Sequence, residues 1–214
     1  MSVPAAHSVA LQPDSWQAAL AQVCTHLLQE KKQILLCITG KSGAGKSTLG
    51  KLIRKKGLPG LQPRKIGVID DGVLAVPLFG IFTRRIKSRS RERDNLAPFS
   101  HFLKNKKMVV YVNTKPERRL DRCDVALRLR LPEEIREQRL NDRDHDGGIR
   151  FRSTVNADDE VGIQADHVFD LCLVESHDPA PLTGAQSSMV LVPFLSKAAP
   201  DMANWASYAA ECCS

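Results

Sequence analysis

Five short, nearly unbroken apolar runs punctuate the chain: "QILLCITG" (33–40), "KIGVID" (65–70), "MVVYVN" (108–113), "DVALRLRL" (124–131) and "ADHVFDLCLVE" (165–175). Runs of this length with little alternation read as strands covered on both faces, the pattern of a parallel sheet. Helical spacing lies between and around them. Trp16, Leu20, Val23 and Leu27 recur on one helical face, with Asp14 and Ser15 as caps. A basic helix is expected from Lys46 to about Lys56, closed by "GLPG". Another is expected over 94–106, capped by Asp94, with Leu96, Phe99, Phe102 and Leu103 inward. A fourth runs from Pro132 to about Asp142, where Pro132 suits the first turn and Glu133 and Glu134 suit its positive end. Residues 1–12 read as a loose tail, and 13–214 as a single domain. "SSMVLVPFL" (187–195) adds an edge strand, and 200–211 a C-terminal helix. Segment 73–93 begins apolar, turns strongly basic, and carries no clear period. Alternating strands and helices predict an α/β fold with right-handed crossovers.

Composition changes this picture little. At 214 residues the chain can bury a real core. It has no run of 18 apolar residues, so no membrane span is expected, and the first residues lack a secretory pattern, which predicts a cytoplasmic location. Six scattered cysteines without a C-x-x-C pair read as reduced thiols. Charge matters more. The formal net charge is +7, and residues 83–94 alone hold six Lys or Arg against two acids. A basic surface favours anionic partners.

The candidate chemistry centres on "GKSGAGKST", residues Gly40, Lys41, Ser42, Gly43, Ala44, Gly45, Lys46, Ser47 and Thr48. The spacing is G-x-x-x-x-G-K-[ST], placed after an apolar strand and before a helix. Glycines let the main chain approach an anion, and successive N–H groups then converge on it at the positive end of the helix. ATP is the expected ligand, with Lys46 bridging its β- and γ-phosphates and the Ser47 hydroxyl on Mg²⁺. A GTPase is excluded by the missing N-K-x-D and D-x-x-G signals.

Three places make the chain resemble the small P-loop kinases, the group of nucleoside monophosphate, shikimate, gluconate, adenylylsulfate and dephospho-coenzyme A kinases. They are the loop Gly40–Thr48, the acid-bearing turn "VIDDG" (68–72), and "RLPEEIREQRLNDRDHDGG" (130–148). The resemblance implies a three-layer P-loop NTPase fold: a five-stranded parallel sheet ordered 2-3-1-4-5, helices on both faces, and a lid around 133–160. It implies an acid after the second strand that faces the acceptor hydroxyl and Mg²⁺; if the strand continues, alternation sends Asp70 and Asp71 to opposite faces, so only one of them should face the nucleotide. Asp70 is assigned to the metal with Ser47, and Asp71 to the acceptor, with the reverse assignment open. Arg136, Arg139 and Arg143, at i, i+3 and i+7, would balance transition-state charge from one helical face. Arg84 and Arg85 fall where such kinases bind the acceptor, and guanidinium forks suit a carboxylate or phosphate. The function expected is Mg²⁺-dependent phosphoryl transfer from ATP to a small anionic acceptor. Two alternatives stand beside it: a polynucleotide or DNA-base kinase, and a nucleotide-binding ATPase or regulator that transfers nothing.

Overall fold

Strands β1 (Ser8–Leu11), β2 (Ile34–Gly40), β3 (Ile66–Asp70), β4 (Val73–Leu78), β5 (Phe82–Lys87), β6 (Met108–Val112), β7 (Arg122–Arg130) and β8 (Gln164–Cys172) join one mixed sheet. Their order is β1-β8-β7-β2-β6-β3-β4-β5. The computed structural model describes residues 8–12, 15–78, 82–88, 92–144 and 163–172, all within one unit, Met1–Val174. The strand expected at 187–195, the helix at 200–211 and the lid residues 145–160 lie outside the described residues.

The apolar runs explain the middle of the sheet. β2 pairs in parallel with β6 on one side and β7 on the other, so Cys37 stands opposite both Tyr111 and Ala126. Alternate residues then feed two cores. Ile34, Leu36 and Ile38 pack with Trp16, Leu20 and Leu27 of α1 (Trp16–Glu30) and with Leu49 and Ile53 of α2 (Lys46–Lys56). Cys37, Val109 and Tyr111 face the other way, against Leu96, Phe99 and Leu103. A short helix α3 (Ser100–Leu103) covers that face, and α4 (Glu133–Asp144) follows β7.

The fold is thus α/β, but the sheet corrects the expectation of five parallel strands. Among the described residues it has eight, and two pairings are antiparallel, β3 with β4 and β4 with β5. The five expected strands form its contiguous parallel middle, β3-β6-β2-β7-β8. The expected loose tail contributes β1, which pairs with the otherwise open side of β8 and buries Leu11. β4 pairs antiparallel with β3 on one side and with β5 on the other.

The helix expected over 94–106 is also corrected. Asn95 and Leu96 adopt left-handed φ of 46° and 62°, and Asp94 Oδ1 accepts from Leu96 N at 3.1 Å. That local turn uses the capping carboxylate and cannot continue as a right-handed helix. A single 3₁₀ turn (Ala97–Phe99) and α3 follow instead.

Candidate functional site

The parallel strands end together, so Gly40 of β2, Asp70 of β3, Asn113 after β6 and Leu131 after β7 share one edge of the sheet. In open α/β sheets ligands bind at this carboxyl edge, at the point where the strand order reverses, which here is β2 between β6 and β7. A cavity of about 370 Å³ opens there, lined by Ser42, Gly43, Gly45, Lys46, Ser47, Thr48, Asp70, Asp71, Asn113 and Arg139, among others.

The loop between β2 and α2 carries Gly40, Gly43 and Gly45 at φ of 134°, 90° and 92°. Gly40 has a second constraint: a Cβ there would stand 2.5 Å from Leu129 O, a main-chain atom of β7. The loop must leave β2 hard against its neighbour, and only glycine fits. Gly45 serves as the N-cap of α2, so the helix's positive end faces the cavity. Lys46 curls back over the loop, its Nζ donating to Gly40 O at 2.7 Å and Lys41 O at 2.8 Å. Ser47, one residue on, donates from Oγ to Asp70 Oδ1 at 3.0 Å.

β3 ends at Asp70, and Asp71 and Gly72 turn the chain into β4. Asp70 pairs with Val73, so the loop has two residues, both at positive φ, 49° and 75°. That is a type I′ hairpin turn, for which Asp-Gly is a favoured pair. The turn overrides the strand alternation that would send the two carboxylates to opposite faces, and both line the same cavity. Asn113 Nδ2 donates to Asp71 Oδ1 at 3.3 Å. Gly72 is pinned: its carbonyl accepts from Ser88 N at 2.9 Å, and a Cβ would stand 2.4 Å from Ser88 O.

The three arginines expected to serve a lid part company. Arg139 lines the 370 Å³ cavity. Arg136 is 1% exposed and lies below the loop, donating from Nε to Glu133 Oε1 at 2.9 Å and from Nη1 to Ser42 O at 3.3 Å. It braces the loop against α4. Arg136's hydrogen bond and charge, helped by Lys41, hold the Glu133 carboxyl below its usual range despite some burial. The Arg143 side chain lies outside the described residues. Arg84 and Arg85 are exposed on β5 and line none of the described cavities.

Gly40, Lys41, Ala44 and Arg136 border a second cavity of about 310 Å³, with Thr39, Arg128 and Arg130. A third, of about 230 Å³, adjoins the Asp71 turn and is lined by Gly72, Ser88, Tyr111, Asn113, Lys115, Arg118 and Arg119. Sequence reasoning missed Asn113, Lys115, Arg118 and Arg119. Their one signal was position, directly after a strand expected beside the loop-bearing strand.

Comparison with protein-family models and with curated proteins finds no match for this chain. Among the described residues no helix is long and apolar enough to cross a membrane. Cys24, Cys37, Cys123 and Cys172 are free thiols. Burial, helped by Asp124, pushes the Cys24 thiol up to about 12, which makes it a poor nucleophile.

The residues present suit a nucleotide phosphate with a hard cation. A hydroxyl and a carboxylate oxygen are the donor type Mg²⁺ prefers, and a Mg²⁺ site needs few protein ligands when phosphates and water complete it. Among the described residues no group of three or more His, Cys, Asp or Glu gathers as a metal site.

Proposed function

We propose that the protein transfers the γ-phosphoryl group of ATP, with Mg²⁺, to the hydroxyl of a small anionic acceptor, on a P-loop kinase fold. The observation that carries this reading is the Ser47–Asp70 hydrogen bond of 3.0 Å beside the Lys46 ammonium in one glycine-walled cavity. When bound, Mg²⁺-ATP supplies the phosphoryl group and a cation that neutralises charge developing between its phosphates.

The chain's own residues do the rest. Lys46, its ammonium already held at the mouth of the loop by two carbonyls, turns to the phosphate oxygens. Ser47 and Asp70 hold Mg²⁺, and their contact favours Asp70 over Asp71 for that role. Asp71, oriented by Asn113, takes the proton from the acceptor hydroxyl. Arg139 offers a guanidinium to the charge on the transferring group, while Arg136 positions the loop through Ser42. The modest cavity volumes, and the placement of Arg84 and Arg85 away from them, favour a metabolite-sized acceptor over a polynucleotide end.

The test is transfer of label from γ-phosphate-labelled ATP to a panel of hydroxy acids, phosphorylated metabolites and nucleoside monophosphates, beside Lys46→Ala. One or more acceptors should be labelled by the wild type alone. Label that stays in ATP or appears only as free phosphate with every acceptor refutes transfer. Equal transfer by the variant refutes the role of the loop.

A further inference from the structure

The 370 Å³ and 230 Å³ cavities have two residues in common, Asp71 and Asn113. Asn113 joins them physically. Its Nδ2 donates to Asp71 Oδ1 at 3.3 Å, and its Oδ1 accepts from Lys115 N at 2.8 Å. The carboxylate assigned to the acceptor hydroxyl is therefore tied to the first residue of a cationic loop.

Three cations line the smaller cavity, and they differ in what they already hold. Arg119 is 4% exposed and committed: Nε reaches Asp94 Oδ1 at 3.0 Å, Nη2 reaches Asp94 Oδ2 at 2.5 Å, and Nη1 reaches Ser88 O at 3.0 Å. Its ring partner is Phe99, 5.4 Å away. Lys115 is half-buried and Arg118 exposed, and among the described residues neither has an ion pair with a carboxylate. Lys115 and Arg118 therefore outnumber the one carboxylate that also lines the cavity, Asp71. Arg119 shapes the wall by fixing Ser88, and Ser88 in turn fixes Gly72.

We propose that this 230 Å³ cavity is the acceptor's anion subsite, where Lys115 and Arg118 bind a carboxylate or phosphate of a molecule whose hydroxyl meets Asp71. The inference rests on the phosphoryl-transfer reading and narrows it. The acceptor carries its charge close to the reacting hydroxyl, and its size is that of a small hydroxy acid or sugar phosphate. The cavity falls below the ~300–1,000 Å³ of drug-sized sites. Specificity between the two anions follows from geometry: an arginine fork serves either, while lysine acts as a point charge.

The experiment labels the full-length chain and reads each site by peptide mass spectrometry. Lysines are acetylated with an N-hydroxysuccinimide ester and arginines modified with phenylglyoxal. Inorganic phosphate and succinate are the two anion probes, and a magnesium-bound non-hydrolysable ATP analogue is added separately to report on Lys46. Phosphate, succinate or both should slow modification of Lys115 and Arg118 about fivefold, as expected once the anion exceeds its dissociation constant severalfold. Lys104 and Arg84, exposed elsewhere, should be unaffected. Arg118→Gln should abolish the protection of Lys115. Which probe protects identifies the anion class. Unchanged rates at Lys115 and Arg118 with both probes, or equal slowing at Lys104 and Arg84, overturn the inference. Protection of Lys115 without protection of Lys46 by the nucleotide would leave an anion site and overturn its assignment to an acceptor.

Discussion

Replacing Arg119 with Met removes the most heavily committed charge near the site while keeping much of its length. Three side-chain hydrogen bonds are lost, two to Asp94 and one to Ser88 O, together with the packing over Phe99. The main cost comes from Asp94, whose side chain is 17% exposed and is left without its partner. Breaking a buried pair costs about 3–5 kcal/mol, and partial exposure of Asp94 argues for the lower end, about 3 kcal/mol. For a domain of this size that corresponds to a melting midpoint roughly 6–12 °C lower. Asp94→Asn/Arg119→Met should lose less than the sum of the single losses, by about 1–3 kcal/mol, because neither partner is then stranded.

The pH dependence has a definite sign. Burial pulls the Asp94 carboxyl up, but the Arg119 hydrogen bond and charge and the Leu96 N–H outweigh it, so its pKa lies below the usual range. A depressed carboxylate contributes its full stability above the unfolded value of about 3.9 and loses it as pH falls through the folded value. The gap between wild type and Arg119→Met should hold from neutral pH down to about 5 and close below about 4. Urea and thermal unfolding of the singles and the double at several pH values measure all of this. A loss under about 1 kcal/mol, strict additivity, or a gap independent of pH would refute the reasoning.

Other perturbations probe the site. Lys46→Ala should cut transfer by at least about 10²–10³-fold, the effect of losing one preorganised donor, with far-UV circular dichroism unchanged. Ser47→Ala should raise the Mg²⁺ concentration for half-maximal activity about tenfold, since one of two protein ligands is gone; an unaltered Mg²⁺ titration would contradict the assignment. Gly40→Ala should destabilise by about 1–3 kcal/mol from backbone strain alone, before the contact of its Cβ with Leu129 O is counted. An unshifted urea midpoint in that variant would mean the loop leaves β2 along another path.

The middle of the sheet and the phosphate-type loop were legible along the chain because their causes are local. Runs such as "ILLCI" and "MVVYV" can satisfy their side chains only between two covered faces, and Gly45-Lys46-Ser47 after such a run marks a loop entering a helix. α2 runs from Lys46 to Lys56, and α4 begins directly after Pro132, as their spacing predicts. Ser47 and Asp70 carried a recognisable pattern too, although 23 residues separate them.

What tertiary structure alone decided was how the edges are completed and which charges are used up. Nothing in "SVAL" distinguishes a strand from a tail; β1 exists because β8 offers an unpaired row of N–H and C=O groups. The antiparallel return of β4 along β3 follows from two positive-φ residues at Asp71 and Gly72, which also bring both carboxylates to one cavity. Arg136 and Arg139 look alike in the sequence, three positions apart on one helix, yet Arg136 is buried beneath the loop and Arg139 lines the cavity. Arg118 and Arg119 are neighbours with opposite fates, exposed and buried. A guanidinium is spent or available according to which carboxylates and carbonyls the folded chain brings within reach, and those partners come from segments up to 94 residues away.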